Sequence, residues 1–217
     1  MEIARHLAAK ENLAVLRFDW VHLGDSSWHG AGATAGDDAT AQAVSAAAFA
    51  MRATGTDRFA TIGACLGARI GLQMAAEIPS CVATVAISPH VYAAPRPARR
   101  RIPAAAARVG RLIRGLTRGY EVDEKFPAWV RDAAASCEVL ILTGAAPNRW
   151  GKAASELLGR IVYDLPLERR RNLVLRHRPD LTVSGFPSPE AHRYALDEAT
   201  ACLARAFSPR EVPLEAR

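Results

Sequence analysis

Four short apolar runs, each bounded by turn residues and interleaved with helix-like stretches, constrain this chain more than any other feature. They are "RFATIGAC" (58–65), "VATVAIS" (82–88), "EVLILTG" (138–144) and "NLVLRH" (172–177). A fifth run, "LAVLRFDW" (13–20), has the same character and reads as a buried strand. These runs are continuous rather than alternating in polarity, as strands covered on both faces are. Between them lie "DDATAQAVSAAAFAMRAT" (37–54), with acids where a helix dipole favours them, and "LGARIGLQMAAEIP" (66–79). "PEAHRYALDEATACLARAF" (189–207) closes the series, with Ser188 as cap and Pro189 in the first turn. Strands alternating with helices predict an α/β fold, a mostly parallel sheet with helices on both faces. Ligands in such sheets bind at the carboxyl ends of the strands. With 217 residues, half of them apolar, one domain spanning 1–217 is expected.

Residues 93–136 interrupt the alternation. Val109, Leu112, Ile113 and Leu116 share a helical face there, flanked by Arg108, Arg111 and Arg118. The pattern predicts a helical cap or lid inserted at about 93–136. Much of the +6 net charge lies in this stretch, from Arg96 through Arg99, Arg100 and Arg101 to Arg118, with no acid before Glu121. Such a run suits an anionic substrate, such as a coenzyme A phosphate or an acidic carrier protein, or serves as the solvated side of an amphipathic lid. It has no interleaved aromatics and no recognisable nucleic-acid module, so nucleic acid is not expected as a partner.

No apolar stretch is long enough to span a membrane, and "MEIARHLAAKEN" is too charged for a signal peptide. A cytoplasmic location and no membrane partner are expected. Cys65, Cys81, Cys137 and Cys202 are widely separated, without metal-ligand spacing or a disulfide framework. Neither metal nor cofactor is therefore expected. Three of the four read as small buried hydrophobes.

Cys65 differs. "TIGACLGARIG" (61–71) puts it between Gly63 and Gly67, where a strand turns sharply into a helix. Such a turn strains the backbone at the central residue, and its glycines let strand and helix pass closely. The helix start favours negative charge and offers backbone N–H groups to an oxyanion. Cys65 is thus a candidate nucleophile, the alternative being a small residue that fills the turn. For a base, His22, His90 and His177 fall near carboxyl ends of strands, with His90 first and His177 second. His192, inside the last helix, reads as a surface residue.

From about Ile3 to Phe207 the chain resembles the α/β-hydrolase family. "VLRFDWVHLGDSSW" is similar to that family's strand and loop FDxRGxGxS, and "GACLG" to its nucleophile elbow in the Cys form. "VATVAISP", "VLILTG" and "NLVLRHRPDLTV" resemble the three strands that follow. The resemblance implies acyl hydrolysis or acyl transfer on an ester or thioester, small or carrier-bound. Cys65 would be the nucleophile, the Leu66 N–H an oxyanion donor, His90 or His177 the base, and Arg99, Arg100 and Arg101 substrate contacts.

The chain also departs from the family. Where the family's acid normally stands, the sequence reads "AAPNRW", with Asn148 the nearest polar group; where its His follows the last strand, Asp180 is followed by Leu181. The first strands and their His-Gly loop have no counterpart, which implies direct pairing of the strands holding Phe18 and Ile62, or a Met1 that is not the true start. These departures carry the alternative reading, a catalytically inactive binding protein of the same fold or a truncated product of a longer gene.

Overall fold

In the computed structural model, residues 2–11, 13–18, 37–92, 122–144, 149–179, 181 and 188–208 are described. In chain order the elements are α1 (Glu2–Lys10), α2 (Asp37–Thr54), β1 (Phe59–Ala64), α3 (Leu66–Glu77), β2 (Cys81–Ile87) and α4 (Phe126–Ser136). They continue with β3 (Glu138–Thr143), α5 (Arg149–Asp164), α6 (Leu167–Arg170), β4 (Leu173–His177) and α7 (Pro189–Phe207). The four strands form one sheet in the order β1-β2-β3-β4, and every pairing is parallel. The expected α/β architecture is therefore present.

Side-chain alternation along the strands divides the core. On β3, Val139 and Ile141 face one layer, built from α3, α4 and α5; Leu140 and Leu142 face the other, built from α1 and α7. Both layers are apolar, and apart from Glu138 at the start of β3 neither β2 nor β3 carries a charged residue. Helix α2 packs beside α3 through Ala39, Ala43, Ile70 and Met74. Its small side chains allow close approach. Helix α7 begins as its sequence dictates, with the Ser188 hydroxyl accepting the Ala191 N–H at 3.1 Å.

Some stretches of the sequence meet the structure differently. The run 13–20 is described over 13–18, and those residues form no strand. Val15, Leu16 and Phe18 are 41%, 44% and 39% exposed, so the predicted buried strand is corrected. A parallel strand needs a neighbour for its backbone groups and cover on both faces. Among the described residues the sheet is built from β1 to β4, and Leu13 packs on the layer of α1 and α7.

Helix α1, for which the sequence reading named no element, docks through Leu7, which is almost fully buried. Within the predicted cap, α4 is a core helix. Phe126, Val130, Ala133 and Ala134 are fully buried against the layer containing α3. Residues 93–121, including Arg99, Arg100 and Arg101 and the apolar face at 109–116, lie outside the described residues. So do His22 and Asn148.

Candidate active site

The carboxyl end of β1 runs into α3 at Cys65, whose backbone has φ 52° and ψ −112°. That conformation costs a non-glycine residue about 1–3 kcal/mol and persists only where the surroundings enforce it. The enforcing contact is Gly63: a Cβ there would stand 2.3 Å from the carbonyl carbon of Gly67, so only glycine lets the strand pass the first turn of α3. The Cys65 thiol is free and half-buried.

Backbone bonds lash this turn to its neighbour. The Cys65 N–H donates to Ile87 O at 3.0 Å, extending the β1–β2 ladder by one residue, and the His90 N–H donates to Cys65 O at 3.1 Å. Ser88, between them, has φ 46°, and its N–H donates to Leu142 O at 2.7 Å. Among the described residues, Cys65 and Ser88 are the non-glycine residues with positive φ, and both lie at strand carboxyl ends. Strain concentrated at one place in a fold points to a site.

Helix α3 makes its first backbone bond from Arg69 N–H to Cys65 O, at 3.2 Å. The N–H groups of Leu66, Gly67 and Ala68 precede it and have no partner within the helix. They follow Cys65 directly in the chain, at a helix start that favours negative charge. Leu66, the residue after the thiol, opens this helix.

His90 lies in the segment that leaves β2 toward Tyr92. Burial, and secondarily the positive charge of Arg69, hold its imidazole below the ordinary histidine pKa; a hydrogen bond to the Tyr92 backbone opposes them. These effects favour the neutral imidazole. Its ring meets the Tyr92 ring edge-on, with centroids 5.8 Å apart.

His177 is elsewhere. It ends β4, three strands along the sheet from β1, so about 14 Å separates the two backbones at ordinary strand spacing. Its Nδ1 is 3.2 Å from the Thr143 hydroxyl on the adjacent strand. Topology thus brings His90, not His177, beside the Cys65 turn. His192 is half-buried in α7.

Leu181, where the family pattern would have its histidine, is fully buried. A Cβ on Gly144 would lie 1.5 Å from Leu181 O, so the two backbones touch after β3. A residue missed by sequence reading is Arg69. It follows Cys65 by one helical turn and reaches Asp123, a pairing across 54 residues that no local pattern signals.

Among the described residues, no group of three or more His, Cys, Asp or Glu side chains could hold a metal ion. Among the same residues, no helix is long and apolar enough to cross a membrane. A shallow depression lined by Met51, Arg52, Asp57 and Ser80 lies at the opposite, amino end of β1. It belongs to the turns that enter β1 and β2 and has no part in the Cys65 site.

No family model and no curated protein matches the sequence. Solved structures do resemble it. One is the esterase Pf2001 of Pyrococcus furiosus, with a TM-score of 0.61 and 17% identity, covering 94% of this chain and 74% of the esterase. A second crystal form of that esterase gives 0.59 and 17%, over 94% and 76%. At this identity the likeness establishes the fold: the chain has an α/β-hydrolase-like fold, with Cys65 at the strand-to-helix turn.

Proposed function

We propose that this protein is an acyl hydrolase or acyltransferase that acts on an ester or thioester through Cys65. The observation that carries the reading is the strained Cys65 turn at the head of α3, with His90 bonded to it. In the first half-reaction, His90 takes the thiol proton as Cys65 Sγ bonds to the substrate's carbonyl carbon. The carbonyl π pair moves to oxygen, where the Leu66 N–H stabilises the charge. When the C=O re-forms, the bond to the alcohol or thiol breaks, and the leaving group takes the proton from His90.

Water then attacks the Cys65 thioester, giving a proton to His90. Collapse expels Sγ, which recovers that proton, and a carboxylic acid leaves. An alcohol, amine or thiol in place of water makes the same steps an acyl transfer. Arg99, Arg100 and Arg101 supply charge suited to the phosphates of an acyl coenzyme A or to an acidic carrier. A hydrogen bond with the Tyr92 backbone holds the His90 ring.

Initial rates with p-nitrophenyl acetate test the reading. Cys65→Ala should reduce turnover to the uncatalysed background, and His90→Gln should lower it by about 100-fold or more. Undiminished turnover in Cys65→Ala would remove the nucleophile.

A second reading, a non-catalytic binding protein of the same fold, is favoured by one observation. Leu181, buried on Gly144, stands where a catalytic histidine would be expected. Wild-type protein that gives no turnover while Cys65 stays open to alkylation would favour this reading.

A further inference from the structure

Arg69 is tied to three parts of the chain at once. Its Nη1 donates to Tyr92 O at 2.6 Å, its Nη2 pairs with the Asp123 carboxylate, and its guanidinium carbon lies 5.2 Å from the centre of the Trp129 ring. Arg69 and Asp123 are each only 16% exposed along their side chains. Tyr92 and Val122 form an antiparallel bridge, and the Asp123 N–H donates to Val91 O at 2.9 Å. The points where residues 93–121 leave and return are therefore side by side, with Arg69 across them. Asp123 also accepts the Lys125 N–H at 2.9 Å through its side chain and the Phe126 N–H at 3.0 Å through its carbonyl, which seats the start of α4.

This arrangement is a joint. One planar cation, one turn past Cys65, clamps the segment carrying His90 and the segment opening α4. Arginine can fork to a carbonyl and a carboxylate while stacking on an indole; lysine cannot.

We propose that Arg69 is a positioning residue of the Cys65 site, which holds the His90 segment against the elbow through Tyr92 and closes the neck of residues 93–121 through Asp123. The assignment rests on the reading of Cys65 and His90 as nucleophile and base. Arg69 touches no reacting atom; it acts through His90.

The groups acting on the His90 ring, among the described residues, are Arg69 from α3 and Tyr92 from its own segment, with Asp123 paired to Arg69. Arg69 opposes protonation of His90, and the Asp123 carboxylate paired with it carries the opposite charge. Removing each should therefore move His90 in opposite directions.

The test is the His90 imidazole titration followed by NMR, assigned by His90→Gln, in wild type, Arg69→Met, Arg69→Lys and Asp123→Asn. It is paired with kcat and KM for p-nitrophenyl acetate. Arg69→Met should raise the His90 pKa and Asp123→Asn should lower it. In Arg69→Met, kcat should fall about tenfold or more with KM little changed, and Arg69→Lys should fail to restore it.

Shifts of the same sign, or none, would overturn the proposal, as would full rescue of kcat by lysine. If Arg69→Met does not fold, the Arg69→Lys kcat and the sign of the Asp123→Asn shift decide. Absence of turnover in wild type would count against the nucleophile reading alone, because the opposite titration shifts would still establish the joint.

Discussion

The His90 N–H donates to the Cys65 carbonyl at 3.1 Å, which couples the segment that follows β2 to the strained turn at Cys65. Strand order explains why. β1 and β2 are parallel neighbours, so their carboxyl ends emerge together, and whatever follows β2 must pass the elbow. Residues on β4 start three places away. Topology thus places His90, rather than His177, next to the elbow.

The two glycines flanking Cys65 should respond differently to substitution. Gly63→Ala forces a Cβ to 2.3 Å from Gly67, backbone against backbone, so α3 must move off β1. A loss of about 1–3 kcal/mol is expected in urea unfolding. Gly67→Ala meets nothing within 4 Å and should be neutral or slightly stabilising. Equal losses at both positions would mean that the close strand–helix crossing is not what fixes the turn.

How much of this was legible follows from the kind of signal each feature leaves. Strands β1 to β4 and helix α2 are local patterns, and the runs identified them to within a residue or two. The run 13–20 carries the same pattern, but its described residues 13–18 form no strand, and strand formation is not a local property. Phe126 and Val130, with Ala133 and Ala134, are spaced at i, i+4, i+7 and i+8, a core-helix signature that could have separated α4 from the basic stretch before it. Leu7 with Ile3 offered only one such repeat, too little to mark α1. Cys65 was legible because glycines bracket it. Arg69–Asp123 was not, because a contact between distant residues exists only once the sheet is assembled.

The remaining cysteines should behave as core. Cys81, Cys137 and Cys202 are buried, while Cys65 is half-buried. Brief iodoacetamide treatment of the native protein should label Cys65, with the other three reacting only in denaturant; native labelling of Cys137 would contradict the packing.

Alkali should destabilise the fold through the same thiols. A hydrogen bond with Cys81, then burial, raises the Cys137 thiol pKa, and burial pushes Cys202 up to about 11. An unfolded chain releases these protons first, near the ordinary thiol range, so it binds fewer protons above about pH 9. Stability should then fall as pH rises from about 9 toward 11, measured as the urea midpoint under reducing conditions. A flat profile there would contradict it.

Acid acts on His90 with the other sign. Its folded pKa lies below the ordinary value of 6.5, so the unfolded chain takes up the proton first as pH falls. The contribution of neutral His90 is fully present above about pH 6.5 and is lost as pH drops below it. His90→Gln should flatten the stability profile in that window relative to wild type. An unchanged difference between the two proteins from pH 7 to pH 5 would show that His90 is not protected from protonation.

The central claim is that Cys65 carries the acyl group, and the most direct measurement is the mass of the protein during turnover. Protein mixed with p-nitrophenyl acetate, quenched in acid and digested for mass spectrometry should carry one acetyl group on the peptide containing Cys65. That adduct should disappear in water with release of acetate. Continued release of acetate without an adduct on Cys65 would contradict the account. So would a stable absence of both while Cys65 remains open to iodoacetamide.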